Sequence, residues 1–341
     1  MIAWRVPTRN LPRGKHSCPP DRFPPLSLQP DHTNRSPKDD RSAHVTTTNR
    51  TVAILGPGGV GGLIGALLAR DGHRVICLAG EETAAVLSRD GLRVESAQYG
   101  DFTAAVEADT ELRQPVDAVF VTVKQTALEE ALDRVPAHVL GDAIVVPLLN
   151  GLDHLAVLRE RYPSAKVVAG TIRVEATRTS PGRILHTSPF SNLELAAPLD
   201  EFADRLRHAG LGVALRTDET AMLWDKLAFL APFALLTTRY QTAVGTIRSE
   251  RRNELLAVLD EITAVAQATG APVATETVRS FFDRAPQTMK SSMQRDAEAG
   301  RPLELDAIGG AVLRAGAAHG VETPITAQLV AEVARATDQE A

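Results

Sequence analysis

The chain has 341 residues, 44% of them apolar, enough to bury a substantial core in one large or two medium domains. Its formal net charge is −5, and because the first 50 residues carry nine Lys/Arg against four Asp/Glu, residues 51–341 stand at −10. Such an acidic body disfavours a nucleic-acid partner, which needs a basic face, and two cysteines, Cys18 and Cys77, give neither a disulfide framework nor a metal site and point to a reducing, cytoplasmic compartment.

Residues 1–49 hold eight prolines and no apolar periodicity, so they are expected to be disordered. They contain no apolar stretch of the secretory type, and the four aspartates argue against a transit peptide, so a mis-assigned start stands as an alternative to a real extension. The 19 residues after Arg50, Thr51–Ala69, carry no charge, but six glycines argue against a membrane span.

From there, apolar runs at Val52–Leu55, Val75–Leu78, Val116–Val123, Ala143–Leu149 and Val167–Ile172 read as strands, with a helix over Val60–Arg70 between the first two. This alternation predicts an α/β fold with a Rossmann-type, doubly wound, mostly parallel sheet. Arg173–Ala196 alternates around Pro181-Gly182 and reads as an antiparallel hairpin at the edge of that sheet. Near Thr217 the pattern turns helical, with expected helices at Glu219–Tyr240, Ser249–Thr269, Thr275–Phe282 and Asp306–Ala318 and a last one after Pro324. The expected organisation is a disordered extension (1–49), a dinucleotide-binding domain (50–216) and an all-helical catalytic domain (217–341). Helical second domains can support a homodimer, but no symmetric interface is evident.

The turn Gly56-Pro57-Gly58-Gly59-Val60-Gly61 follows a predicted strand and opens a predicted helix, the context a dinucleotide-binding fingerprint requires. Gly56 permits the tight turn, Gly58 lets backbone amides approach a pyrophosphate, and Gly61 allows helix–strand contact. An acidic residue is expected about 20 residues further on to hold an adenosine ribose; Glu81 and Glu82 lie there, and solvated charges at a helix start explain them equally well. Lys124 ends a strand at the carboxyl edge of the sheet, where ligands of open α/β sheets bind, although a solvated loop lysine would look the same. Asn150 lies at that edge in an Asn-Gly turn that turn chemistry alone could explain. His154, His186 and His319 lack metal-ligand spacing and read as ordinary surface or loop histidines.

Taken in order, the glycine turn, Val121-Thr-Val-Lys124, Leu149-Asn150-Gly151, Trp224-Asp-Lys226-Leu227 and the run from Ser291-Ser292 through Asp296, Gly300 and Glu304 to Asp306 resemble the ketopantoate reductase (2-dehydropantoate 2-reductase) family over residues 51–335. That resemblance implies NADPH-dependent reduction of a small 2-oxo acid, 2-dehydropantoate, to pantoate, a step of pantothenate biosynthesis. It implies Lys226 as the acid that protonates the developing alkoxide, a role a desolvated ammonium suits; without it, a lysine beside Trp224 would read as snorkelling at the surface. It further implies Lys124 beside the cofactor, Asn150 as a polar anchor for the lysine or the substrate, Glu304 on the substrate hydroxyl and Ser292 on its carboxylate. Without it, Glu304 reads as a helix cap and Ser292 as an ordinary helix serine. Asp296 reads as structural.

Two departures stand out. Asparagines usual four and eight residues after the lysine are Leu230 and Ala234 here, which points to a more apolar 2-oxo acid or to a non-catalytic NAD(P)-binding relative. An arginine usual after the second strand is replaced by Ala79-Gly80-Glu81-Glu82, which favours NADH over the NADPH the resemblance implies.

Overall fold

The structure, a computed structural model, describes residues 49–338, so the expectation of disorder for the N-terminal extension falls, but for Asn49, outside the described residues. Strand β1 (Thr51–Leu55) runs into helix α1 (Gly59–Arg70), β2 (Arg74–Leu78) and α2 (Glu81–Asp90). The strands β3 (Leu92–Ser96), β4 (Phe102–Ala104), β5 (Glu107–Asp109) and β6 (Ala118–Val121) follow, then α3 (Leu128–Leu132), α4 (Ala137–Leu140), β7 (Ile144–Pro147), α5 (His154–Arg161), β8 (Lys166–Val167) and β9 (Gly170–Arg173). A run of β10 (Ala176–Ser180), β11 (Arg183–His186), β12 (Asn192–Leu195), α6 (Asp200–His208) and β13 (Gly212–Leu215) completes the strand-bearing part.

The central sheet has six strands in the order β5-β2-β1-β6-β7-β8, every neighbouring pair parallel. Its inner strands are apolar on both faces because helices cover both, and this is why β1, β2, β6 and β7 read as unbroken apolar runs. α1, apolar nearly all round, lies in one of the two resulting cores, with Leu63, Ile64 and Leu67 fully buried.

Among the strands, the sequence expectation fails at Val167–Ile172 and at the hairpin. Val167–Ile172 is not one strand: it divides between β8, at the edge of the parallel sheet, and β9, which pairs antiparallel with β12 in a separate three-stranded sheet. The hairpin around Pro181-Gly182 exists, as β10 and β11, but it belongs to a four-stranded sheet with β3 and β4 instead of the edge of the main one.

The remainder is helical, and we propose the domain boundary at Arg216–Thr217. α7 (Glu219–Tyr240) starts on the Asp218 carboxylate, which accepts from the Ala221 amide at 2.9 Å. It is followed by α8 (Val244–Glu250), α9 (Arg252–Ala268), α10 (Thr275–Arg284), α11 (Ser292–Glu298), α12 (Ala311–His319) and α13 (Pro324–Asp338), with a π-turn at Asp306–Gly310 leading into α12. The single helix expected over Ser249–Thr269 is two, because the chain breaks at Arg251. α7 is long and apolar enough by length and composition to cross a bilayer; instead its leucines, alanines and phenylalanines are packed against α9, α11 and α13.

Candidate active site

The strand-to-helix turn sets one wall of the site. Gly56 has φ +83°, and a Cβ there would lie 2.4 Å from a Val123 methyl. Its amide donates to the Leu78 carbonyl at 3.1 Å, tying the turn to the end of β2. A Cβ on Gly61 would meet Thr122 Oγ1 at 2.2 Å, and one on Gly59 the Ala176 carbonyl at 2.0 Å. At Gly58, by contrast, the nearest atom would be 3.9 Å away. Gly58 is the N-cap of α1 and offers no side-chain acceptor, so the first-turn amides of Gly59, Val60 and Gly61 keep their donors for an anion. This cradle, close-packed behind and open in front, fits a dinucleotide pyrophosphate.

Glu81 and Glu82 are exposed in the first turn of α2, directly after β2, next to Gly80 with open space around it. A cation also stands at this edge: Arg134 Nη1 donates to the carbonyls of Ala79 (3.3 Å) and Thr110 (3.0 Å). No spacing in the sequence announces it.

Lys124 and Asn150 follow β6 and β7 at the same edge, and both meet the helical domain. Asn150 Nδ2 donates to Glu304 Oε2 at 3.0 Å, and the Gln125 amide donates to Glu304 Oε1 at 3.2 Å. Glu304 is buried, 8% exposed, and this corrects the reading of its carboxylate as a helix cap: both oxygens reach across to the other domain, and the turn after it has no side-chain cap. Lys124 Nζ lies 2.6 Å from Asp296 Oδ2, and Arg301 Nε lies 2.8 Å from Asp296 Oδ1, so Asp296 ties together a cation from each domain. Ser292 is exposed at the first position of α11, whose cap is the neighbouring Ser291; among the described contacts nothing joins Ser292 to Lys226, Asn150 or Glu304.

Lys226 projects from the second turn of α7 into a narrow cleft lined by Leu149, Gly151, Thr171, Leu223, Leu227 and Leu230. Desolvation, and secondarily the Arg173 guanidinium, bring its ammonium down from 10.5 to about 8, against the attraction of Glu304. Of the two departures on this helix, only Leu230 faces the cleft. Ala234 is fully buried in the helical core, because eight residues along a helix turn a side chain about 80° from the lysine and four turn it only about 40°.

Two histidines are not surface groups. His186 is buried, bonded to Ser96 and Ser188 and stacked on Tyr99. His154, four residues after Asn150, is 1% exposed with neither ring nitrogen hydrogen-bonded; burial, and then Lys226, push it down to about 4. Sequence reasoning also passed over Gln125, Arg173 and the ionic role of Asp296. Gln125 contributes a backbone amide, which no residue type signals.

A nucleotide cradle at the carboxyl edge of a parallel sheet, together with a partly buried lysine and a buried carboxylate supplied by a helical domain, defines an NAD(P)-dependent oxidoreductase. Residues 52–197 match the family described as Ketopantoate reductase PanE/ApbA, and residues 218–337 match its C-terminal counterpart. The chain belongs to the ketopantoate reductase family. A 2-dehydropantoate 2-reductase of Mycobacterium tuberculosis is 31% identical, over 84% of this chain and 98% of its own. One of Caulobacter vibrioides is 28% identical, over 82% and 97%. The crystal structure of a PanE/ApbA family ketopantoate reductase from Ralstonia eutropha JMP134 superposes with a TM-score of 0.78 at 27% identity, covering 85% of this chain and 99% of that one.

Proposed function

We propose that this protein reduces a 2-oxo acid at C2 with NAD(P)H, the reaction that in its relatives takes 2-dehydropantoate to pantoate. The observation that carries the reading is the convergence of Lys226, Glu304 and Asn150 at the carboxyl edge of the sheet whose first strand runs into the glycine turn. A bound reduced nicotinamide supplies the hydride to C2. The Lys226 ammonium gives its proton to the carbonyl oxygen as the carbon–oxygen π bond breaks, so the ketone becomes an alcohol and the lysine is left neutral. Glu304, held by Asn150 and the Gln125 amide, keeps a negative charge near Lys226 and orients the hydroxyl as it forms. The family resemblance alone supports giving Ser292, exposed at the first position of α11, the substrate carboxylate.

For the cofactor, Gly59, Val60 and Gly61 hold the pyrophosphate. Glu81 and Glu82 oppose a 2′-phosphate, while Arg134 nearby keeps the local charge mixed. NADH would therefore serve at least as well as NADPH, with Glu81 the residue that would hold the adenosine ribose and Lys124 a residue that would stand beside the cofactor.

The test is a spectrophotometric screen of NADH and NADPH against 2-dehydropantoate and simpler 2-oxo acids. Oxidation of either cofactor by at least one of these acids is expected. Cofactor binding without turnover across the panel would reduce the protein to a nucleotide-binding relative, and a hundred-fold preference for NADPH would overturn the argument from Glu81 and Glu82.

A further inference from the structure

Asp153 is the N-cap of α5 and Asp306 the first residue of the π-turn, positions where a carboxylate ordinarily serves the amides of its own helix. Neither side chain caps its helix. Both turn instead to one guanidinium, that of Arg314 on α12, whose Nη2 donates to Asp153 Oδ2 at 2.7 Å and whose Nη1 donates to Asp306 Oδ1 at 2.6 Å. Nη2 also reaches the Asp306 carbonyl at 3.1 Å and Asp306 Oδ2 at 3.2 Å. Asp153 lies in the loop after β7, three residues past Asn150, and Asp306 lies two residues past Glu304, so one side chain spans the two segments that carry the Asn150–Glu304 pair.

The backbone is shaped for this link. Eight residues of straight α-helix would set positions 306 and 314 about 80° apart, and the extra residue that a π-turn takes in removes most of that offset. Gly310, midway between them, leaves room: a Cβ there would collide with the Asp306 carboxylate and lie 3.0 Å from Arg314 Nη1. One segment closer to the chemistry, Gly151 has φ +84° and a Cβ on it would collide with the Ala307 carbonyl. Next to it the Asn150 amide donates to Glu304 at 3.0 Å. The loop after β7 therefore docks on the Glu304 segment at three successive points, and the arginine is the last of them.

Arg314, Asp153 and Asp306 are 48%, 50% and 81% exposed, and ion pairs at such exposure add little to folding. Their consequence is geometric. We propose that Arg314 is a positioning residue of the active site: it pins the loop bearing Asn150 to the segment bearing Glu304 and so fixes where the Glu304 carboxylate stands relative to Lys226. The inference rests on the 2-oxo acid reductase reading and adds to it a residue that acts through Asn150 and Glu304, away from the substrate. Without the clamp the two segments are free to slide on their remaining contacts, and a displacement of about 1 Å at a reacting site can cost about 10²-fold in rate. A displaced Glu304 also pulls less on Lys226, whose ammonium it supports against burial, so the lysine gives up its proton at lower pH.

The experiment measures kcat and KM across pH for the 2-oxo acid that the wild type reduces best, with cofactor affinity and thermal melts, in the wild type, Arg314→Met, Arg314→Lys, Asp153→Ala, Asn150→Ala and the Arg314→Met/Asn150→Ala double variant. Arg314→Met should lower kcat by about 10–10²-fold while cofactor affinity holds and the melting temperature stays within a few degrees. Its alkaline decline in kcat/KM should begin at lower pH than in the wild type. Asp153→Ala, which opens the clamp from the other loop, should reproduce both effects, and Arg314→Lys should recover part of the rate. Because the clamp acts through the Asn150–Glu304 pair, Arg314→Met should cost far less in the Asn150→Ala background than alone. An unchanged kcat in Arg314→Met, or a loss that leaves the pH profile in place and multiplies in full with that of Asn150→Ala, would overturn the inference and leave the reductase reading intact. Turnover of no 2-oxo acid by the wild type would overturn the reading and the inference with it.

Discussion

Replacing Lys226 with methionine should make the protein more stable and nearly inactive. The ammonium is partly buried in a cleft of leucines, and its fall from 10.5 to about 8 measures what that position costs the charged form. Fully shielded, the shift would correspond to about 3 kcal/mol; with partial exposure and the pull of Glu304, about 1–2 kcal/mol is the working figure. The sign follows from the lowered value. Below about pH 8 the lysine is charged folded and unfolded, and the folded state bears the whole penalty; above 10.5 it is neutral in both and the penalty is gone. At neutral pH, Lys226→Met therefore removes a cost, and the melting temperature should rise by about 2–4 °C. Turnover should fall by about 10²–10⁴-fold, the contribution of a positioned acid. In the wild type, kcat/KM for reduction should decline tenfold per pH unit above about 8, while the reverse oxidation, which needs the neutral amine, should rise to a plateau there. Loss of nicotinamide absorbance across a pH series, with thermal melts of both proteins, reads all of this. A reductive profile flat through pH 8, or a variant within tenfold of the wild type, would refute the assignment.

In the glycine turn, Gly61→Ala drives a methyl to within 2.2 Å of Thr122 Oγ1 and should lower the melting temperature, whereas Gly58→Ala, with open space in front, should fold normally and weaken NADH binding; equal melts for the two would contradict the geometry. Glu81→Arg should shift the ratio of NADPH to NADH kcat/KM at least tenfold toward NADPH, and an unchanged ratio would place the ribose elsewhere. His154 is held neutral with its value lowered to about 4, so the unfolded chain takes up a proton below 6.5 that the folded one refuses. Stability should fall by up to about 3 kcal/mol as pH drops across that window, and His154→Phe should flatten the slope in urea melts; an identical slope would show the ring to be protonated in place.

The glycine turn and the parallel strands could be read from sequence because each is a local pattern. β1, β2, β6 and β7 are covered on both faces and leave unbroken apolar runs, and the turn needs glycine at fixed offsets. β4 and β5 have three residues each, and β3 alternates buried Leu92 and Val94 with exposed Arg93 and Glu95, so none of the three leaves an unbroken apolar run. Val167–Ile172 was misread for another reason. Apolar content reports burial but does not name the partner, and here Val168 and Ala169 are buried at the crossing between two sheets.

Pairings across the domain junction leave no trace in spacing. Asn150 and Glu304 are 154 residues apart, and Lys124 and Asp296 are 172 apart; each alone has an ordinary local explanation as a turn asparagine, a cap, a loop lysine or a helix acid. Packing of α11 and the turn after it against the loops following β6 and β7 is what removes those explanations. Glu304 spends both oxygens on N–H groups of the other domain instead of on its own helix, and Lys124, itself still partly exposed, meets a buried carboxylate. The departures on α7 behave the same way. Leu230 and Ala234 look equivalent as a pair of lost amides, yet helical rotation sends one into the cleft and the other into the core, a difference that only the packing of α7 reveals.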